Sequence, residues 1–219
     1  YWLKGMKYRT PDVRKKQKAL IISSTSFFLL LSATVSLNAI VEIDNKNKEV
    51  IQSIKDAERP LAPQITTDNP GFWVTGDSVI LGIRHELENT HPIALINARV
   101  GRQAPELLEV MSHDLANVGN SPVVFNLGNN NALTRDQVVA IFEVAKSAPK
   151  AIVVNTAVPR PWKEANNALI EEVATSYPNA AIIRWDLISQ GHPEYFAPDG
   201  VHLVPAGVRA YVAAIETQL

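Results

Sequence analysis

Cysteine is absent from this chain of 219 residues. Its absence excludes disulfides, thiolate catalysis and Cys-ligated zinc, and leaves the compartment open. A surplus of positive charge is missing too. The formal net charge is −1, which argues against a broad nucleic-acid surface. There is no internal repeat and no low-complexity tract. The Gly-x-Ser-x-Gly elbow of α/β-hydrolases is also lacking, because Ile80 stands where its last glycine would be.

The charge that is present lies unevenly. Residues 1–18 hold seven Lys or Arg (Lys4, Lys7, Arg9, Arg14, Lys15, Lys16, Lys18) against one acid, Asp12. The remainder is net acidic. Residues 19–41 then run without a charge, from Ala19 to Val41, and about 20 apolar residues span a bilayer as a helix. Ser and Thr in the run can bond back to helix carbonyls. The preceding basic cluster is expected to stay cytoplasmic, which puts everything after Val41 outside. A buried helix of a soluble domain and a cleaved signal peptide compete with this reading. The long basic segment and the want of a clear small-x-small cleavage site favour a retained transmembrane helix. Residues 42–70 read as a linker: charged at first, weakly helical at Val50, Ile51 and Ile54, then broken by Pro60, Pro63 and Pro70. A short helix packing back onto the next domain fits the same residues.

From Gly71 short apolar runs alternate with helical stretches. Strands are expected at Phe72–Val74, Ile93–Ala98, Val123–Leu127, Ala151–Asn155 and Ala181–Trp185. Helices are expected to about Asn89, around Leu107, Leu108, Met111 and Leu115, after a Thr134 cap, over Trp162–Tyr177, and from Pro205 to Ile215. The last three strands are nearly continuous apolar runs, as parallel strands covered on both faces are. The pattern predicts an α/β domain over 71–219: a three-layer α/β/α sandwich on a five-stranded, mostly parallel sheet. Ligands of such sheets bind outside the C-terminal strand edges.

The first of those edges carries Gly76-Asp77-Ser78, a serine at a strand-to-helix turn. Gly-Asp-Ser alone is a common turn. Far downstream, Asp199-Gly200-Val201-His202 places an acid three residues before a histidine. The acid can hold one imidazole nitrogen while the other takes a serine proton. Alone, Asp-x-x-His reads as a surface turn. The order Ser…Asp…His, with the pair just before the last helix, brings that turn beside the first-strand loop in several α/β topologies. Loop two offers Gly101 and loop three offers Gly128-Asn129-Asn130-Asn131 as donors to a developing oxyanion. His85, His91, His113 and His192 are scattered without metal-ligand spacing.

Taken together, Gly76-Asp77-Ser78, Gly101, Gly128-x-Asn130 and Asp199-x-x-His202 resemble the four blocks of the SGNH (GDSL-type) hydrolases in order. The resemblance implies a flavodoxin-like sheet and no cofactor. It implies Ser78 as nucleophile, His202 as base and then acid, and Asp199 as its orienting partner. The oxyanion donors would be the backbone N–H groups of Ser78 and Gly101 and the side chain of Asn130. Block three departs from the pattern, with Asn131 where Asp is usual. The Asn97–Gln103 stretch, the apolar run and the linker look like the extracytoplasmic domain of membrane-bound peptidoglycan O-acetyltransferases. In that group a multi-helix acyltransferase domain precedes the SGNH domain on the same chain. Residues 19–41 would be its last helix and residues 1–18 a cytoplasmic loop, in keeping with a first residue that is Tyr1 and not Met.

The expected function is therefore acyl transfer, acetyl above all, from a donor to a cell-envelope glycan or glycolipid hydroxyl through an acyl-serine. Arg102, Gln103 and Trp162 stand as candidate substrate contacts. Arg102 and Gln103 are equally candidates to cap the second helix, and Trp162 to pack a rigid turn. An esterase using water, a silent envelope-binding domain and a cytosolic lipase or thioesterase are the alternatives.

Overall fold

The computed structural model describes residues 39–55 and 71–219, apart from Pro92, Gly119 and the side chain of Ala94. The chain divides into two compact units, Tyr1–Asn45 and Lys46–Leu219. Residues 39–55 are helical (α1). The expected membrane helix lies outside the described residues except at 39–41, where Ile40 and Val41 are exposed. Among the described residues no helix is long and apolar enough to cross a membrane.

The second unit holds β1 (Phe72–Gly76), α2 (Ser78–Thr90), β2 (Ile93–Ala98), α3 (Ala104–Val118), β3 (Val123–Asn126), α4 (Arg135–Ala145), β4 (Ala151–Val154), α5 (Lys163–Ala174), β5 (Ala180–Ile183), α6 (Trp185–Ile188), a 3-10 turn at Pro193–Tyr195, and α7 (Pro205–Glu216). The five strands form one sheet in the order β2-β1-β3-β4-β5. All four pairings are parallel. The strand order turns back between β1 and β3, and the crevice beyond their C-terminal ends is where such sheets bind ligands.

Strand alternation feeds two cores. Trp73, Val123, Phe125 and Val153 face α3, α4 and α5, where Leu107, Met111, Ile141, Phe142 and Ile170 close the layer. Phe72, Val74, Val124, Ile152 and Val154 face α2 and α7, where Ile80, Ile83, Leu87, Tyr211 and Ile215 close the other. Neither face of β3 or β4 meets water, which is why their sequences do not alternate. Thr134 caps α4 in a capping box with Gln137, and Pro205 opens α7.

Several boundaries differ from the sequence expectation, β1 running on to Gly76 and β4 stopping at Val154 among them, and two have a visible cause. Strand five stops at Ile183, and Trp185 turns inward to start α6. Its indole stacks on Tyr195 and meets Tyr211 edge-on. That burial outweighs the β propensity of an Ile-Ile-Arg-Trp run. Strand three stops at Asn126, because the Asn126 side chain is drawn to the turn after β1. The weak helical pattern at Val50, Ile51 and Ile54 lies in α1, and Ile54 is buried against α2 near Gly82.

Candidate active site

β1 ends at Gly76, and the chain turns at once into α2. A side chain on Gly76 would place its Cβ 1.9 Å from Asn126 Oδ1. Only glycine lets Asn126 come that close. Asp77 is the N-cap of α2, its Oδ1 accepting from Val79 N at 2.9 Å. Ser78 is thus the first residue of the helix and 5 % exposed. The helix amides around it favour negative charge.

Asp77 is tied down on every side. Its Oδ1 accepts from Asn126 Nδ2 at 2.7 Å, and its own N–H donates to Asn126 Oδ1 at 3.0 Å. Its Oδ2 accepts from Asn130 Nδ2 at 2.9 Å. Burial raises its carboxyl above the usual aspartate value, against the pull of Asn126, the Val79 amide, Asn129 and His202.

The Asp199 turn is built as a small hairpin. Phe196 and Leu203 bridge, and Ala197 N donates to His202 O at 2.7 Å. Asp199 Oδ1 accepts from the N–H groups of Val201 and His202 at 2.9 and 3.0 Å. Its Oδ2 lies 2.6 Å from His202 Nδ1. Burial pushes the Asp199 carboxyl up, but the hydrogen bonds from His202 and the two amides outweigh it and hold the carboxyl below its ordinary value. With Nδ1–H given to the carboxylate, Nε2 is the accepting nitrogen. It stands 3.0 Å from Ser78 Oγ. Ser78 and the Asp199–His202 pair, more than 120 residues apart in sequence, form one relay at the sheet edge.

The other candidates fall in different places. Gly101 is exposed in the loop after β2, with φ 71° and no heavy atom within 4 Å of a would-be Cβ. Its glycine answers to backbone conformation, not to a close approach. Asn130 Nδ2 donates to Asp77 Oδ2 and, at 3.1 Å, to Arg102 O. Arg102 turns inward. Its side chain donates to Asn97, Thr75 and Glu106 from all three nitrogens. Burial draws its guanidinium below its usual value, with Glu106 opposing. Gln103 is exposed, and its carbonyl accepts from Leu107 N in the first turn of α3. Trp162 Nε1 donates to Gly128 O at 3.1 Å, joining the loop before α5 to the Gly128 loop. The remaining histidines meet side chains near or at the surface: Asn89, Glu216, Asp114 and Glu194 for His85, His91, His113 and His192.

Sequence reasoning missed the supports. Asn126 ends an apolar strand, and a polar side chain there had to find a partner. That was its one legible signal. Asn166, on α5, accepts from Leu133 N and donates to Gly128 O and Asn131 O. It pins the Gly128 loop from the first turn of α5, and nothing local to its sequence announces it.

No family model matches the chain. Curated relatives do. The peptidoglycan O-acetyltransferase OatA of Listeria monocytogenes is 39% identical over 141 residues, 64% of this chain and 22% of that protein. The O-acetyltransferase OatA of Staphylococcus aureus is 39% identical over 140 residues, 62% of this chain and 23% of that protein. The chain therefore spans under a quarter of the length of these relatives. Among solved structures, the C-terminal catalytic domain of Streptococcus pneumoniae peptidoglycan O-acetyltransferase A, with a methylsulfonyl adduct, superposes with TM-score 0.56 at 29% identity, over 67% of this chain and 90% of that one. A GDSL-like lipase from Bacteroides thetaiotaomicron superposes with TM-score 0.58 at 19% identity, over 80% of this chain and 97% of that one. The lipase speaks to the fold alone. The chain is thus similar in sequence to peptidoglycan O-acetyltransferases, and its fold matches the catalytic domain of one of them.

Proposed function

We propose that this domain transfers acetyl groups to cell-envelope glycan hydroxyls, with Ser78 as nucleophile. The observation that carries the proposal is the Ser78–His202–Asp199 relay at the sheet edge, in a chain similar to O-acetyltransferases. Ser78 Oγ attacks the acetyl carbonyl of a donor as its proton passes to His202 Nε2. Asp199 holds the imidazole and stabilises the imidazolium that forms. The N–H groups of Ser78 and Gly101 and the amide of Asn130 hold the oxyanion. The tetrahedral intermediate collapses to acetyl-Ser78, and His202 returns the proton to the leaving oxygen. A glycan hydroxyl then attacks the ester, giving its proton to His202, and Ser78 leaves with that proton. Water as acceptor gives hydrolysis through the same intermediate. Gln103 and Trp162, on loops at the same edge, are the proposed substrate contacts.

The same reading includes the organisation of the chain. Residues 1–18 are cytoplasmic, 19–41 cross the membrane, 42–70 link, and 71–219 act outside. A multi-helix membrane acyltransferase domain on the same polypeptide would supply the acetyl group. The charge-free run and the basic cluster before it support this.

The test is acetyl transfer from 4-nitrophenyl acetate to a glycan oligomer, with hydrolysis counted in parallel. Ser78→Ala should abolish both. Retention of most activity in that variant sinks the proposal, and hydrolysis unaffected by the oligomer favours the esterase.

A further inference from the structure

Arg102 is 7 % exposed, and its fork spans two strands. Nη1 donates to Thr75 Oγ1 of β1 and to Asn97 O of β2, and Nη2 donates to Asn97 Oδ1 at 2.9 Å. Asn97 is itself anchored, its Nδ2 donating to the buried Asp114 on α3 at 2.8 Å. Thr75 Oγ1 donates to the same Asn97 carbonyl at 2.8 Å. Arg102 is thus fixed to the strand ends by its guanidinium, in addition to the bond from its N–H to Arg99 O within the loop. Its main-chain carbonyl then accepts from Asn130 Nδ2, whose other partner is Asp77 Oδ2. Gly101 is the residue immediately before.

We infer that Arg102 is a positioning residue that locks the loops after β2 and β3 into one oxyanion-holding unit by setting the direction of the Asn130 amide. The inference rests on the reading of Ser78 as the acylated group. A planar fork holds two acceptors in a fixed direction, which an ammonium cannot reproduce. Without it the Arg102 carbonyl is no longer held, and the Asn130 amide turns with it. In the resting site the Asn130 amide is held by Asp77 and the Arg102 carbonyl. These two acceptors fix the plane in which the Asn130 amide is presented to the developing oxyanion.

The experiment is a double-mutant cycle on the full chain with 4-nitrophenyl acetate: Arg102→Lys, Asn130→Ala and both together. The readouts are kcat, KM, the rate of Ser78 labelling by a fluorophosphonate, and Tm. Full removal of an oxyanion donor costs about 10²–10³-fold in kcat. Arg102→Lys should cost about tenfold or more, with KM changed less than about twofold, and should cost nothing further once Asn130 is alanine. Multiplying losses in the double variant, or a normal kcat in Arg102→Lys, overturn the inference. If Arg102→Lys does not fold, Asp114→Asn loosens the same strut from its outer end. It should lower kcat by a smaller factor that also vanishes in the Asn130→Ala background, and persistence of that factor there overturns the inference. Activity surviving Ser78→Ala would instead defeat the parent reading. A dead Ser78→Ala with independent Arg102 and Asn130 effects defeats only this inference.

Discussion

Replacing Asn126 by Ala removes the partner of a buried carboxylate. Asp77 is 4 % exposed, and Asn126 both donates to its Oδ1 at 2.7 Å and accepts from its N–H at 3.0 Å. A hydrogen bond to a charged group contributes about 1.5–3 kcal/mol, and a neutral one about 1 kcal/mol. The loss is thus about 2.5–4 kcal/mol, or a fall of about 5–16 °C in Tm for a domain of this size. The pH dependence is the sharper test. Burial already raises the folded-state pKa of Asp77, and Asn126 is the strongest influence lowering it. Removing Asn126 raises it further. An acid whose folded pKa is raised loses stability as pH climbs from its unfolded value through its folded value. The deficit of the variant should therefore be smallest near the ordinary aspartate value of 3.8 and grow towards neutral pH. Differential scanning calorimetry across that range reads it directly. A deficit that does not change with pH, or a Tm shift below about 2 °C, refutes the claim that Asn126 supports an ionised Asp77.

Three further outcomes are expected. Asp199→Asn should lower kcat by about 10³–10⁴-fold through the wrong imidazole tautomer. Because the Asp199 carboxyl sits below its ordinary value, its stabilisation is present above about pH 4 and fades as pH falls through its folded pKa; calorimetry of the Asn variant should show that loss removed. Gly101→Ala and Gly191→Ala, at φ 71° and 80° with open space around both, should each cost about 1–2 kcal/mol by urea unfolding. Only the first should slow fluorophosphonate labelling of Ser78. Phe142→Ala, at a fully buried ring packed on Phe125 and Tyr177, should cost about 3–5 kcal/mol in the same assay while leaving the labelling rate of the folded protein unchanged.

The layer architecture of residues 71–219 was legible in the amino acids alone, because continuous apolar runs such as Ala-Ile-Val-Val and Val-Val-Phe call for helices on both faces. The sequence also carried the pairing of Asp199 with His202, since three residues on one turn lie within reach of each other. Tertiary structure alone decided the rest. That His202 Nε2 meets Ser78 Oγ depends on α7 packing against α2 across 124 residues of chain. That Arg102 points inward depends on Asn97, Thr75 and Asp114 converging from three elements. Strand five ended early because Trp185 found Tyr195 and Tyr211. Local preference is written residue by residue. A buried polar side chain takes its direction from whichever partners the fold delivers, and leaving it unpaired costs more than the conformational preference of the residue itself.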